Sequence, residues 1–184
     1  MSNIASESKR IKNLKSIIIK LIPKFPNTKE TKRILEQKSL PSLFIDYINW
    51  ASRYVPLRRR TISIEPTATN DPRWCALRTE IDAFLFKVRN GEDLTPHLSL
   101  QAHKQGFTPA AGLTGPNVDK WADKDFLLNV MGFHHFHLGT SIEAAGHVMR
   151  TDDVLFAEVT RDTFNVVAIF NHSVFDDLVK SRTA

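Results

Sequence analysis

Four of the chain's seven histidines fall within residues 134–147, and three of them lie in the run Gly132-Phe133-His134-His135-Phe136-His137-Leu138-Gly139. On a strand the side chains alternate, so His135 and His137 share one face while His134 joins Phe136 and Leu138 on the other. Same-face neighbours stand about 6–7 Å apart. That spacing suits an acid/base pair flanking a phosphate, and it suits two metal ligands as well. Two further residues can join the pair. Arg150 precedes the next apolar run, and His172 ends a third one in Phe170-Asn171-His172-Ser173. With a hairpin turned at Arg161-Asp162, position 172 falls opposite 151, which brings His172 and Arg150 to one end of a sheet. Converging imidazoles with a guanidinium are what metal-free RNA cleavage requires. One imidazole accepts the 2′-hydroxyl proton, another protonates the leaving oxygen, and the arginine stabilises the charge on the phosphorane. Histidine fits both proton roles because its ordinary pKa is about 6.5.

Metal binding is the main chemical rival. His135, His137 and His172 with Asp152 or Asp153 form a donor set that zinc or manganese would accept. No HExxH, paired CxxC or HxHxD pattern supports that set, and Asp119, Asp125, Asp152 and Asp153 make no spaced carboxylate motif. Gly106, Gly112 and Gly115 are too scattered for a phosphate loop. Histidines that only hydrogen-bond within a fold are the plainer alternative, better suited to a lone residue than to a cluster. The expectation is an active site with no cofactor.

These residues need elements to hold them. Apolar positions at Ile11, Leu14, Ile18 and Leu21 recur at helical spacing within residues 5–22, and Pro23 and Pro26 end that helix. A second helix follows Asn27-Thr28 until Ser39-Leu40-Pro41 breaks it. A third begins near Ser42 and should bury Phe44 and Ile48, with Tyr47 and Trp50 beside them. Residues 53–69 read as a loop in which Thr61–Ile64 has the composition of a short strand. Residues 71–90 carry the best helix signal. Asp71 can cap it, Pro72 fits its first turn, Gly91 can close it, and Trp74, Leu77, Ile81, Phe84, Leu85 and Val88 form its apolar stripe. Glycine and proline make 93–120 a long irregular connection. Phe133–Leu138, Val154–Thr160 and Thr163–Phe170 read as three strands, the last two a hairpin. Asp176–Lys180 reads as a closing helix. The expected class is α+β: N-terminal helices, then a small antiparallel sheet with a C-terminal helix.

With 184 residues, 42% of them hydrophobic, the chain can form a substantial core, and its single cysteine, Cys75, excludes an internal disulfide and a cysteine-rich zinc module. The apolar run Ile17–Ile19 is too short for a membrane span or a secretory core. A cytoplasmic, membrane-free setting follows as the expectation. The net charge of +5 conceals a division: residues 1–60 hold 14 Lys and Arg against 4 Asp and Glu, and the remaining residues hold 11 against 16. The expected division is a basic helical extension over 1–60 and an α+β body over 61–184. A basic arm beside an acidic body suggests a polyanionic partner. Arg58-Arg59-Arg60 would face phosphates, since each guanidinium can chelate one.

From about Leu128 to Phe175 the order of features resembles the RelE/ParE superfamily of bacterial toxins. The features are Gly132, His135 and His137, Gly139, Arg150, the apolar strands Leu155–Val159 and Val166–Ile169, then His172 and Phe175. The resemblance implies a small ribonuclease-type sheet that cleaves RNA without a metal, with His135, His137, Arg150 and His172 as the carried-over positions. Histidines stand where that superfamily usually has arginines on the first strand. It also implies an inhibitory antitoxin protein as partner. The open alternatives are a non-enzymatic nucleic-acid-binding or regulatory module and a metal-dependent hydrolase built on the same cluster.

Overall fold

The computed structural model describes residues 7–24, 26–99, 128 and 131–174, which fall into two compact units divided between Ala51 and Ser52. The division precedes the expected one at residue 60 because the arginine run belongs to the second unit. The Thr61 N–H donates to the Asp162 carbonyl at 2.9 Å, and the Arg60 guanidinium donates to the Thr160 carbonyl at 2.9 Å. No helix among the described residues is long and apolar enough to cross a membrane.

The first unit holds three helices: α1 (Lys9–Leu21), α2 (Lys29–Gln37) and α3 (Leu40–Ala51). Ser8 and Thr28 cap the first two through their hydroxyls. The second helix ends before Ser39-Leu40-Pro41 as expected, and α3 opens slightly earlier than expected: the Ser39 hydroxyl accepts the Ser42 N–H at 3.3 Å, with Pro41 in the first turn. The core is Ile18, Ile19, Ile22, Leu35 and Leu43, with Leu40 and Tyr47 against it. Two expected faces are therefore corrected. In α1 the buried stripe runs through Ile18, Ile19 and Ile22, leaving Ile11, Leu14 and Leu21 exposed. In α3, Leu43 is buried while Phe44 is 39% and Ile48 59% exposed. Both helices carry apolar residues around much of their circumference, so periodicity alone could not choose the face.

The second unit begins with β1 (Thr61–Ile64) and α4 (Pro66–Thr69), then α5 (Pro72–Ala76), α6 (Arg78–Asn90) and a 3₁₀ turn at Thr95–His97. The strands β2 (Phe133–His137), β3 (Asp153–Val159) and β4 (Thr163–Asn171) follow. The helix expected over 71–90 is divided at Leu77, whose ψ of 20° departs from helical geometry. Its caps stand as expected. Asp71 accepts the Arg73 N–H at 2.9 Å and pairs with that guanidinium at 2.7 Å, which lowers its carboxyl pKa to about 2. Gly91 closes α6 at φ 73°, and a Cβ there would lie 2.6 Å from the Arg59 nitrogen, so glycine is required on both counts.

The class is α+β, but the sheet is mixed. Its order is β1-β4-β3-β2, with β1 parallel to β4 and the other pairs antiparallel. The short strand at Thr61–Ile64 thus joins the sheet through a partner about a hundred residues away. One face packs on α6. Phe84 meets Phe136 at 5.1 Å and Phe164 at 5.8 Å between ring centroids, and Ile81, Leu85, Val88, Leu138, Leu155, Val166 and Ile169 complete this core. The helix expected over Asp176–Lys180, residue Phe175, Asp119 and Asp125, Gly106, Gly112 and Gly115, and most of the 93–120 connection lie outside the described residues.

Candidate functional site

β2, an edge strand among those described, presents two chemically different faces. Its register on β3 pairs His135 with Phe156 and His137 with Val154. As the period-two alternation requires, the two histidines share a face, with ring centroids 6.3 Å apart. The same face carries Val154, Phe156 and Phe133, which form a small apolar cluster beneath the imidazoles. His172 completes the row: its ring stacks on His137 at 5.8 Å with planes 20° apart.

A β-bulge brings His172 to this row. From the hairpin turn, Val159 pairs with Phe164 and Ala157 with Val166, but Phe156 pairs with Ala168, leaving Val167 without a partner. Before the bulge, Phe164 and Val166 point into the α6 core; after it, Ile169 does. Phe170 accordingly turns to the histidine face, where it meets Phe156 edge-on at 5.3 Å. His172 follows with the same alternation. Simple counting from the turn would have sent it toward the core and opposite residue 151. The bulge moves the register by one, so the His172 N–H donates to the Asp152 carbonyl at 2.6 Å.

His135 and His172 are half-buried, whereas His137 is only 2% exposed. A residue that the sequence reading missed secures this end of β2. His97, itself 2% exposed, donates from Nδ1 to the His137 carbonyl at 2.7 Å and accepts from the Lys87 ammonium at Nε2, 3.1 Å away. Burial lowers its pKa, so the neutral tautomer protonated at Nδ1 satisfies both contacts. His134 faces the other way. It donates from Nε2 to the Ser52 carbonyl at 2.9 Å, and burial, with Arg60 nearby, lowers its pKa too.

The basic residues divide. Arg150 is exposed, and no hydrogen bond or ion pair joins it to the row among the described residues. Arg58 is exposed and pairs with Asp162 at 2.7 Å. Arg59 is exposed. Arg60 turns inward, unlike its two neighbours. It is 6% exposed and donates to the carbonyls of Thr160, Pro56 and Arg58, because in the residue before β1 its side chain follows the inward alternation of Ile62. Of the carboxylates considered with the row, Asp153 lies 3.7 Å from the Arg73 guanidinium and Asp152 is exposed. Among the described residues no group of three or more His, Cys, Asp or Glu is arranged to hold a metal ion. His147 is buried in the tight segment closed by the Ile142–Val148 bridge, where its carbonyl accepts the Glu143 N–H at 2.7 Å.

Comparison with known proteins finds no matching family model, curated protein or solved structure.

Proposed function

We propose that this chain is a metal-independent endoribonuclease of the toxin or defence type, cutting RNA by attack of the 2′-hydroxyl on the adjacent phosphate. The observation that carries the reading is the continuous row His135–His137–His172, with ring separations of 6.3 and 5.8 Å. The two half-buried ends, His135 and His172, act as the acid and base. His137, enclosed between them, positions His172 by stacking on it. This assignment changes the division of roles expected from spacing alone, because a ring that is 2% exposed is a poor partner for a substrate proton. Arg150 supplies charge to the phosphate from the exposed segment before β3. Phe170, exposed and held edge-on by the buried Phe156, gives this face an apolar ring on which an unstacked base can rest. Such an activity in a cytoplasmic setting calls for an inhibitory protein that covers the row until release.

Metal-free protein incubated with RNA and a DNA control, in chelator, tests the reading. RNA fragments ending in 2′,3′-cyclic phosphate are expected, with DNA intact. His135→Ala and His172→Ala should each lower the rate by about 10² to 10⁴-fold, the usual contribution of one positioned proton-transfer group. Undiminished cleavage by the folded double variant would sink the assignment. Cleavage only after zinc or manganese is added would transfer the chemistry to a metal site.

A further inference from the structure

On the opposite side of β2 from the histidine row lies a cleft of about 530 Å³ lined by Tyr54, Arg58, Arg60, His134, Thr160 and Arg161, among others. Its volume lies within the range of small-molecule pockets, roughly 300–1,000 Å³. Three observations define its chemistry. First, Arg60 is almost fully buried, yet its hydrogen bonds all go to carbonyls: Thr160 from Nε at 2.9 Å, Pro56 and Arg58 from Nη1 at 3.1 Å each. No carboxylate pairs with it among the described residues, and both N–H groups of Nη2 remain undonated. Asp162 acts on it electrostatically but is paired with Arg58, and a directly bonded anion in the cleft offsets the cost of burying the guanidinium. Second, His134 forms part of the cleft wall and is fixed there by donating its Nε2–H to the Ser52 carbonyl. Third, Arg161 stands exposed in the β3–β4 turn and forms no ion pair among the described residues, whereas its neighbour Asp162 is held by Arg58.

We propose that this cleft binds a phosphate monoester attached to a planar base, with Arg60 and Arg161 on the phosphate and Tyr54 beside the base. A phosphate has the several acceptor oxygens needed to meet an Nη2 pair and a second guanidinium together. The phosphate alone would leave most of the volume empty. Tyr54, Val55, Pro56 and Val159 supply the apolar lining that a nucleobase fills. A free mononucleotide and the phosphorylated end of an oligonucleotide present the same group. The site stands on its own residues and does not depend on the histidine row being catalytic.

Calorimetric titration of the full chain at low ionic strength with adenosine monophosphate tests the proposal. One saturable site is expected, with inorganic phosphate competing and adenosine binding at least about tenfold more weakly, since a charge-assisted hydrogen bond is worth that much or more. Arg161→Ala, checked for fold by circular dichroism, should weaken binding by about tenfold. His135→Ala should bind as the parent does. A 5′-phosphorylated tetranucleotide binding more tightly than the mononucleotide identifies a nucleic-acid end as the ligand, and equal affinity identifies the free nucleotide. The proposal is overturned by the absence of saturable binding, by an Arg161→Ala variant that binds like the parent, or by loss of binding in folded His135→Ala.

Discussion

Adjacent residues of a single strand, His134 and His135, sit in opposite physical worlds. On the α6 side, His134 lies in the same face as Phe136 and gives its Nε2–H to a carbonyl, and the neighbouring side chains are a packed aromatic core. On the other side, His135, His137 and His172 form a row of imidazoles over a minor apolar cluster. The residue type is the same and the separation along the chain is one position. The side of the sheet decides whether an imidazole joins the aromatic core or lies in the row that the proposed chemistry uses. The contrast also shows how the fold limits ambiguity: the α6 face needs its large side chains in place, so the strand cannot slip its register and exchange the two histidine sets.

Breaking the packed face should have the largest effect on stability. Phe136→Ala removes a buried ring that contacts Phe84 and Phe164 and should cost about 3–5 kcal/mol in urea unfolding. His135→Ala, across the strand, should cost much less. Similar losses from both would erase the proposed difference between the faces.

Next in size is the support of the row from behind. His97→Leu leaves the His137 carbonyl and the Lys87 ammonium without their partner, a loss of about 1–3 kcal/mol. Because that carbonyl belongs to the middle residue of the row, RNA cleavage should fall with it although His97 touches no substrate. His97→Asn, whose amide can both donate and accept, should recover part of the stability; identical behaviour of the two variants would argue against the hydrogen bonds as the cause.

A smaller effect concerns pH. His97 and His134 both have folded-state pKa values below the ordinary value of about 6.5. Their contribution is complete above that value and is lost as pH falls below it, because the unfolded chain takes up protons that the folded one excludes. Urea midpoints measured between pH 7.5 and 5.5 should therefore fall, and the fall should be shallower in His97→Leu. An unchanged slope would remove His97 from the account.

The smallest effect separates the arginines. Arg58→Ala breaks an exposed pair with Asp162 and should change stability by less than about 1 kcal/mol. Arg60→Ala should exceed it, since three carbonyls lose a donor that is itself buried.

Much of this arrangement was legible in residue types and spacing. The stripe of α6, the Asp71 and Gly91 caps, the three last strands and the facing of His135 with His137 all follow from local patterns that the tertiary structure reinforces. The faces of α1 and α3 were not legible, because their apolar residues surround too much of each helix. The parallel pairing of β1 was hidden because its partner is distant in sequence. His97 was hidden for the same reason: it sits in a short turn forty residues from the carbonyl it holds. The inward Arg60 did have a signal. It stands two residues before Ile62, so the strand's own alternation, extended backward, places it on the inner face.

The unpaired Val167 has a consequence for how relatives of this chain should be aligned. Val166, Val167 and Ala168 are ordinary strand residues, with no glycine or proline to mark an insertion. A homologue lacking one of them would still align well by composition, yet its terminal strand would run in the opposite phase. The position matching His172 would then face the interior and should carry an apolar side chain. A one-residue gap in β4 and replacement of that histidine should therefore be inherited together, as a single event in the history of the sequence.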